Sequence, residues 1–172
     1  MKICFTKSQL TDFYNKVKKN PEAFAAGSLA LEDKDENAYI RDNTITPNDL
    51  EEAKAILFGE ISNRSLDKQK LEAQTILNTA FNRMDEYRKR GQEKTLTEVL
   101  QMKNQYQAYN GAEYKRFKQG KLNDTDKRKV EAINAIIEQI LDGSFQNNIG
   151  NRVFYKHLSD GRIIADSRKL FR

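Results

Sequence analysis

The chain has few of the residues that support disulfide, zinc or catalytic-triad chemistry. It has 172 residues with one cysteine, Cys4, one histidine, His157, and no tryptophan. A single cysteine cannot form an internal disulfide and does not indicate a redox compartment. One cysteine and one histidine are too few for a zinc site made of these residues, so we expect no metal or other cofactor. A Ser-His-Asp or Cys-His mechanism would depend on His157 alone, which we expect to be partly exposed in a strand.

Long apolar runs are also missing. Charged residues make up 32% of the chain and the mean hydropathy is −0.83, so we expect a soluble chain without a membrane span. The first seven residues lack the apolar segment of a secretory signal. We therefore expect synthesis in the cytoplasm without a signal peptide. Action at a cell wall would then require delivery by cell lysis, by a virion or by a secretion machine.

The charge balance is mildly basic. A net charge of +5 comes from 30 basic and 25 acidic residues, which suits an anionic polymer such as nucleic acid or a bacterial wall. The basic residues are scattered, with local density only at 83–90 and 115–128. No zinc-finger spacing, glycine-rich phosphate loop or RNA-binding aromatic signature is present. Among the possible functions we therefore rank a basic helical domain that binds nucleic acid last. We expect no specific nucleic-acid partner.

Apolar residues recur at helical spacing through most of the chain. The pattern predicts helices over about 46–60 and 66–89, a short helix from a capping box at Thr95, a basic helix around 113–118, and a helix capped by Asp124 or Thr125 that stops at Gly143. Asp160-Gly161 between β-branched and aromatic residues predicts a hairpin. We expect a mainly α fold with one small β-hairpin near the C-terminus. Residues 1–45, with a helix from Thr6 and a polar linker, form a predicted accessory segment before a main domain at 46–172.

Glu60 is the strongest catalytic candidate. It follows Ala53 by seven residues and Ile56 by four, so a helix that reaches it places its carboxylate on the apolar face. An unpaired carboxylate there is costly to ionise, and the negative end of the helix dipole adds to that cost. A carboxylic acid that keeps its proton near neutral pH is what a glycosidic general acid requires. The alternatives are that the helix stops at Gly59 or that the side chain reaches solvent.

A second set of candidates would bind sugar. The segment 104–111 is rich in amides and phenols and ends in Asn-Gly, a turn dipeptide. Amides and hydroxyls bond to sugar hydroxyls and N-acetyl groups, while aromatic rings cover apolar sugar faces. The candidate substrate-binding residues are Gln105, Tyr106, Gln107, Tyr109, Asn110 and, from the hairpin, Tyr155. For Tyr106 and Tyr109, ordinary packing is the alternative.

The order of these motifs resembles the SleB-like cell-wall hydrolase family, which includes spore-cortex-lytic enzymes. Gly59-Glu60 is similar to the Gly-Glu pair that closes the family's first helix, and 75–78, Thr-Ile-Leu-Asn, is similar to its Val-Ile-Leu-Asn run. Glu98-Val99-Leu100 and then Gln105-Tyr106-Gln107 resemble the family's short helix and its Gln-Phe-Ser/Thr groove segment. Phe154-Tyr155 resembles part of a His-Phe-Tyr motif that lies near the end of the family's sequence pattern. The resemblance covers residues 46–157 and adds Asn78 to the candidate substrate-binding residues.

This resemblance implies a lysozyme-like, lytic-transglycosylase-like fold that acts on peptidoglycan glycan strands. Glu60 matches the catalytic glutamate, which protonates the glycosidic oxygen between N-acetylmuramic acid and N-acetylglucosamine. In a lytic transglycosylase the muramyl 6-hydroxyl then attacks and a 1,6-anhydro product forms. A hydrolase needs a second carboxylate. Asp67, Glu72 and Glu113 are the candidates, but each is typical of a solvated helix charge, which favours the transglycosylase.

The chain also departs from the family pattern. Tyr106 replaces phenylalanine, Gln107 replaces serine or threonine, and Val153 replaces the late histidine. These changes support an alternative of another class, a non-catalytic structural or interaction protein, such as a virion component, on a lysozyme-like fold. That alternative predicts that Glu60 is exposed or paired with a residue such as Arg64. Virion or secretion-machine proteins are the further partners that either reading implies.

Overall fold

A computed structural model describes residues 45–103 and 105–171, and every structural statement concerns this part of the chain. Its elements are the helices α1 (Pro47–Glu60), α2 (Leu66–Lys89), α3 (Leu96–Leu100), α4 (Ala112–Lys118) and α5 (Lys127–Asp142), and the antiparallel strands β1 (Phe154–His157) and β2 (Ile163–Asp166). The predicted mainly helical fold with a small hairpin near the C-terminus is confirmed. The accessory segment predicted at 1–45 lies, except for Ile45, outside the described residues.

Helix α1 begins at a capping box, as its sequence predicts. The Asp49 N–H donates to Thr46 Oγ1 at 3.1 Å, and the Thr46 N–H donates to the Asp49 carboxylate at 2.8 Å. Pro47 fits the first turn because the N–H that it lacks has no partner inside the helix. The helix continues to Glu60, where the Ile61 N–H closes it on the Leu57 carbonyl at 2.9 Å.

Helices α1 and α2 carry most of the packing. Helix α1 packs against α2, α3 and α4, and α2 also packs against α3 and both strands. The apolar faces of these helices lie in the core, where 12 of their apolar residues have almost no exposed area: Ala53, Ala55, Ile56, Leu57, Phe58, Ala73, Ile76, Leu77, Ala80, Leu96, Val99 and Leu100. The two long helices therefore form the scaffold on which the shorter elements rest.

Two buried carboxylates of α1 hold the neighbouring helices. Asp49 accepts hydrogen bonds from the Thr97 N–H at 3.1 Å and the Thr97 hydroxyl at 2.5 Å, which ties the start of α1 to the start of α3. Glu52 accepts from the Tyr114 hydroxyl of α4, from Gln101 Nε2 at 3.1 Å and from Lys118 Nζ at 2.6 Å. Every oxygen of these two side chains has a donor, so their burial is compensated.

The hairpin is fastened to α2 through the segment that precedes it. Asn82 Nδ2 donates to the carbonyls of Gly150 and Arg152 at 2.7 Å each, and Arg83 Nε donates to the Val153 carbonyl at 2.5 Å. Strand β1 then pairs with β2 from Phe154 opposite Asp166 to His157 opposite Ile163. The predicted turn at Asp160-Gly161 is confirmed, and Gly161 has the positive φ of 79° that favours glycine.

The cap predicted for α5 is wrong by one or two residues. Asn123, rather than Asp124 or Thr125, accepts the N–H groups of Thr125 and Asp126, because a 3₁₀ turn at Asp124–Asp126 precedes the helix. Residues 138–146 fall outside the larger compact unit, Ile45–Ile137 with Asn147–Arg172, and are described by themselves. They are the end of α5 and a turn in which Gly143 has a φ of 78°, as expected for the predicted stop.

In the described ranges no helix combines the length and the apolar character that crossing a bilayer requires.

Asp49 provides a test of the α1–α3 junction. Burial raises the pKa of Asp49, but the hydrogen bonds from Thr97 and Thr46 together outweigh burial and set it below its usual value. The charged form is therefore stabilised by folding, and this stability is lost as the pH falls through the lowered folded pKa. We expect Asp49→Asn to lower the free energy of unfolding by about 1–3 kcal/mol at pH 7, measured by urea denaturation.

The difference between wild type and Asp49→Asn should shrink as the pH falls below about 4, because the unfolded chain takes up the proton there first and the folded carboxylate takes it up only at lower pH. Glu51→Gln, at an exposed position of the same helix, is the control and should leave stability unchanged at both pH values. A difference that stays constant from pH 7 to pH 3 would show that the charge of Asp49 does not stabilise the junction.

Candidate active site

A groove of about 780 Å³ lies where the end of α1, the segment between α3 and α4, and strand β1 meet. Its walls include Gly59 and Glu60 from α1, Gln105, Gln107 and Ala108 from the segment, Glu113 from α4, and Phe154, Tyr155 and His157 from β1. Helix α2 contributes Arg83 from beneath. All of these residues belong to the larger compact unit.

Glu60 lies in the wall of this groove and is only 5% exposed. Its Oε1 accepts a hydrogen bond from the Ala108 N–H at 2.6 Å, and its Oε2 lies 3.5 Å from His157 Nε2. Among the described residues no lysine or arginine nitrogen comes within 4.0 Å of this carboxylate. Arg64, the partner expected for a structural glutamate, lies 3.9 Å from Glu72 instead.

Gly59 explains how the segment reaches Glu60. A Cβ placed on Gly59 would lie 2.6 Å from the Cβ of Ala108, a distance that real side chains do not adopt. Only glycine therefore lets the segment lie directly on the last turn of α1. This close approach is what brings the Ala108 N–H to the Glu60 carboxylate.

Two stacked tyrosines stand beside Glu60. The Tyr155 and Tyr106 rings lie 5.9 Å apart at an angle of 36°. Burial, together with the charge and a hydrogen bond of Glu60, raises the pKa of Tyr155 far above its usual value. Its hydroxyl therefore keeps its proton next to Glu60. Tyr106 is buried behind it, burial raises the pKa of its phenol, and its hydroxyl lies 3.3 Å from Thr79 Oγ1.

The structure brings four of the predicted site residues together in the groove: Glu60, Gln105, Gln107 and Tyr155. Tyr106 supports Tyr155 from behind, as packing alone would predict. The Tyr109 ring packs edge-on against Tyr114 at 5.5 Å, and Asn110 is exposed at a turn with a φ of 61°.

Asn78, the residue added by the resemblance, is completely buried and donates from Nδ2 to Asn148 Oδ1 at 2.9 Å. It does not line the groove, and neither does Tyr109 or Asn110. Asn78 holds the segment that leads to β1, so in this structure it acts on the site only through the hairpin.

The three candidate second carboxylates differ from one another. Asp67 is exposed, as predicted. The prediction is wrong for Glu72, which is buried and accepts from the Ser62 N–H at 2.9 Å and the Ser62 hydroxyl at 2.7 Å, because the turn after α1 folds back onto α2. Glu113 is half exposed but lines the groove, 2.7 Å from Arg116. Glu113 is thus the one candidate among the three that lies near Glu60.

Sequence reasoning missed three parts of the site. His157 is in a strand and its side chain is 45% exposed, as expected, but its contact with Glu60 spans 97 positions and has no local signal. The Ala108 N–H is a backbone group, which no residue pattern marks. Arg83 belongs to a run of charged residues at 83–90, yet it is only 1% exposed.

The comparisons with protein-family models, with curated proteins and with solved structures found no match to this chain. In the described part of the chain, no three histidine, cysteine, aspartate or glutamate side chains are grouped so as to hold a metal ion. The candidate site is therefore assessed on its own geometry.

Gly59→Ala tests the contact that positions Glu60. The new methyl group would push Ala108 away, so we expect the Ala108 N–H to lose its bond to Glu60 and the free energy of unfolding to fall by about 1–3 kcal/mol. The Ala108 amide shift in NMR and urea denaturation measure the two effects. The double variant Gly59→Ala/Ala108→Gly removes the clashing methyl and should recover most of both. An unchanged Ala108 amide in the single variant would contradict this account.

Proposed function

We propose that this protein is a peptidoglycan-degrading glycosidase that cleaves the bond between N-acetylmuramic acid and N-acetylglucosamine, with Glu60 as general acid and base. One observation carries the proposal: a carboxylate with 5% exposure lies in the wall of a groove, with a backbone N–H, a phenol and an imidazole as its neighbours. The proposal includes a distant relationship to the SleB-like family and delivery to the wall by lysis, a virion or a secretion machine.

The surroundings of Glu60 favour a catalytic over a structural role. Asp49 and Glu52, the other buried carboxylates of α1, accept several hydrogen bonds each and join helices. Glu60 lies at the opposite end of the same helix, where the dipole disfavours negative charge and no lysine or arginine of the described residues compensates it. A residue that costs stability in this way is typical of a functional site.

The groove wall suits a sugar chain. Gln105 and Gln107 provide amide donors and acceptors, and the rings of Phe154 and Tyr155 provide apolar faces. A volume of about 780 Å³ lies within the range of small-ligand sites. Ring faces beside amides are the combination that N-acetylated sugars require, since each sugar has an apolar face and a ring of polar substituents.

The chemistry needs only the groups in the groove. Protonated Glu60 gives its proton to the glycosidic oxygen as the bond between that oxygen and the muramyl C1 breaks, and the bonding pair stays with the leaving oxygen. The muramyl 6-hydroxyl oxygen then forms a bond to C1, and its proton passes to the Glu60 carboxylate. Glu60 is thereby returned to its protonated form, and a 1,6-anhydro product results without water. The Ala108 N–H holds the carboxylate in place throughout.

The alternative is a non-catalytic structural or interaction protein on the same kind of fold. It predicts an exposed Glu60 or a Glu60–Arg64 pair. Glu60 is buried and Arg64 lies beside Glu72, which supports the enzyme instead.

Digestion of purified peptidoglycan tests the proposal. We expect wild type to release anhydromuropeptides, identified by mass spectrometry, and Glu60→Gln to lower the rate by at least about a hundredfold, because glutamine keeps the shape but has no titratable proton. Reducing-end muropeptides from wild type would instead indicate a hydrolase. No release by wild type from several wall types would overturn the enzyme proposal.

Thermal stability of the same variant separates catalysis from folding. Glutamine still accepts the Ala108 N–H but carries no charge at the end of α1, so Glu60→Gln should melt at the same temperature as wild type or higher. A large fall in Tm would mean that Glu60 is a structural residue.

Glu113→Gln distinguishes the two reaction types. Glu113 lines the groove and is the second carboxylate that a hydrolase would use. A transglycosylase needs only Glu60, so we expect Glu113→Gln to keep the rate within about threefold of wild type and to give the same anhydro products, measured in the same digestion. Asp67→Asn, outside the groove, is the matched control. A hundredfold loss in Glu113→Gln alone would assign the second catalytic carboxylate and overturn the single-acid mechanism.

A further inference from the structure

The groove contains a buried cation that the proposed reaction does not use. Arg83 of α2 lines the groove and is only 1% exposed. Its guanidinium lies 4.5 Å from the ring centre of Phe154 and 5.1 Å from that of Tyr106. Guanidinium groups on aromatic faces are stabilised, but such contacts do not use their N–H donors.

The hydrogen bonding of Arg83 is incomplete. Its Nε donates to the Val153 carbonyl at 2.5 Å, and Nη1 is buried without an acceptor among the described residues. No carboxylate of the described residues lies within 4.0 Å of this guanidinium, as the ion pairs of the structure show. A buried charge of this kind is normally paired, because its desolvation is otherwise uncompensated.

A second arginine stands at the same ring. The guanidinium carbon of Arg168 lies 4.7 Å from the Phe154 ring centre, and Arg168 also lines the groove. Its Nε is paired with Asp166 at 3.0 Å, so part of its charge is already compensated. Lys156 lines the groove as well and has no ion-pair partner within 4.0 Å among the described residues. Arg83 and Arg168 therefore both contact the Phe154 ring, and Lys156 lines the same groove. Among the described lining residues these three cations face two carboxylates, Glu60 and Glu113.

We propose that Arg83 is the centre of a subsite for a carboxylate carried by the ligand, supported by Arg168 and Lys156. A carboxylate in the groove supplies the negative charge that the buried guanidinium lacks. Because Nη1 has almost no exposed surface, a small movement of the surrounding side chains is needed before the carboxylate accepts a hydrogen bond from it. This inference rests on the proposed function in one respect, the identity of the molecule that carries the carboxylate. On that function the carboxylate belongs to the lactyl group of a muramic acid residue without its peptide. The subsite thus selects glycan whose lactyl carboxylate is free.

A neutral acetamido group is the competing ligand. It also offers a carbonyl to Arg83, and its N–H would suit Gln105 Oε1, another buried atom without a partner among the described residues. It brings no negative charge, however, and leaves the charge of the buried Arg83 uncompensated. A matched pair of ligands that differ only in this charge separates the two.

The test is an NMR titration of Glu60→Gln, which prevents turnover, with the disaccharide of N-acetylglucosamine and N-acetylmuramic acid and with its lactyl amide. We expect the free carboxylate to bind about fivefold to tenfold more tightly than the amide. The Nε–H signal of Arg83 should shift strongly with the acid and weakly with the amide. This signal reports on the native side chain and requires no substitution at a buried position.

Variants in the Glu60→Gln background show which residues cause the preference for the acid over the amide. Arg83→Met should abolish it and Arg83→Lys should keep part of it, while Arg168→Gln, at an exposed position, should lower it about twofold to threefold. Arg88→Gln, which lies on the same helix outside the groove, is the control and should change nothing. Equal binding of the two disaccharides, binding of neither, or an unmoved Arg83 signal would each overturn the subsite.

The two proposals fail in different ways. Wild type that releases anhydromuropeptides but binds acid and amide equally would keep the glycosidase and remove the subsite. A preference for the acid that depends on Arg83, in a protein that releases nothing from any wall, would keep the subsite and remove the glycosidase.

Discussion

The contact between Gly59 and Ala108 determines the geometry of the groove. Any side chain at 59 would meet the Cβ of Ala108 at 2.6 Å, so glycine is what allows the two backbones to approach. The approach turns the Ala108 N–H onto Glu60 at 2.6 Å and positions Gln105 and Gln107 of the same segment along the groove wall. One residue without a side chain thus fixes the orientation of the candidate acid and the place of its candidate sugar contacts.

The buried carboxylates of α1 differ in how well their surroundings compensate them. Asp49 is in the first turn, where the dipole favours it, and Thr46 and Thr97 satisfy its oxygens. Glu60 is in the last turn, where the dipole opposes it, and among the described residues Ala108 provides the one backbone N–H that its carboxylate accepts. The hydrogen bonds at the start of α1 therefore stabilise a helix whose last turn carries a carboxylate in an electrostatically unfavourable position.

The local parts of this arrangement are predictable from the sequence. The ends of α1 follow from Thr46-Pro47 and from the apolar spacing that reaches Glu60, and the hairpin follows from Asp160-Gly161, because each signal lies within a few residues of what it specifies. The non-local parts are not predictable in this way. Glu72 resembles a surface charge until the turn after α1 brings Ser62 to it.

The burial of Arg83 is also not predictable from the sequence, because Arg83 belongs to a run of charged residues. Its position relative to Glu60 matters for the proposed chemistry. The guanidinium of Arg83 lies 5.1 Å from the ring centre of Tyr106, which lies 5.9 Å from that of Tyr155. An arginine within 4 Å would hold a carboxylate in its charged form and would remove the proton that a general acid needs. Among the described residues Glu60 has no arginine partner within 4.0 Å and Arg83 has no carboxylate partner, so the candidate acid is not paired with an arginine and the buried cation is left to bind a ligand.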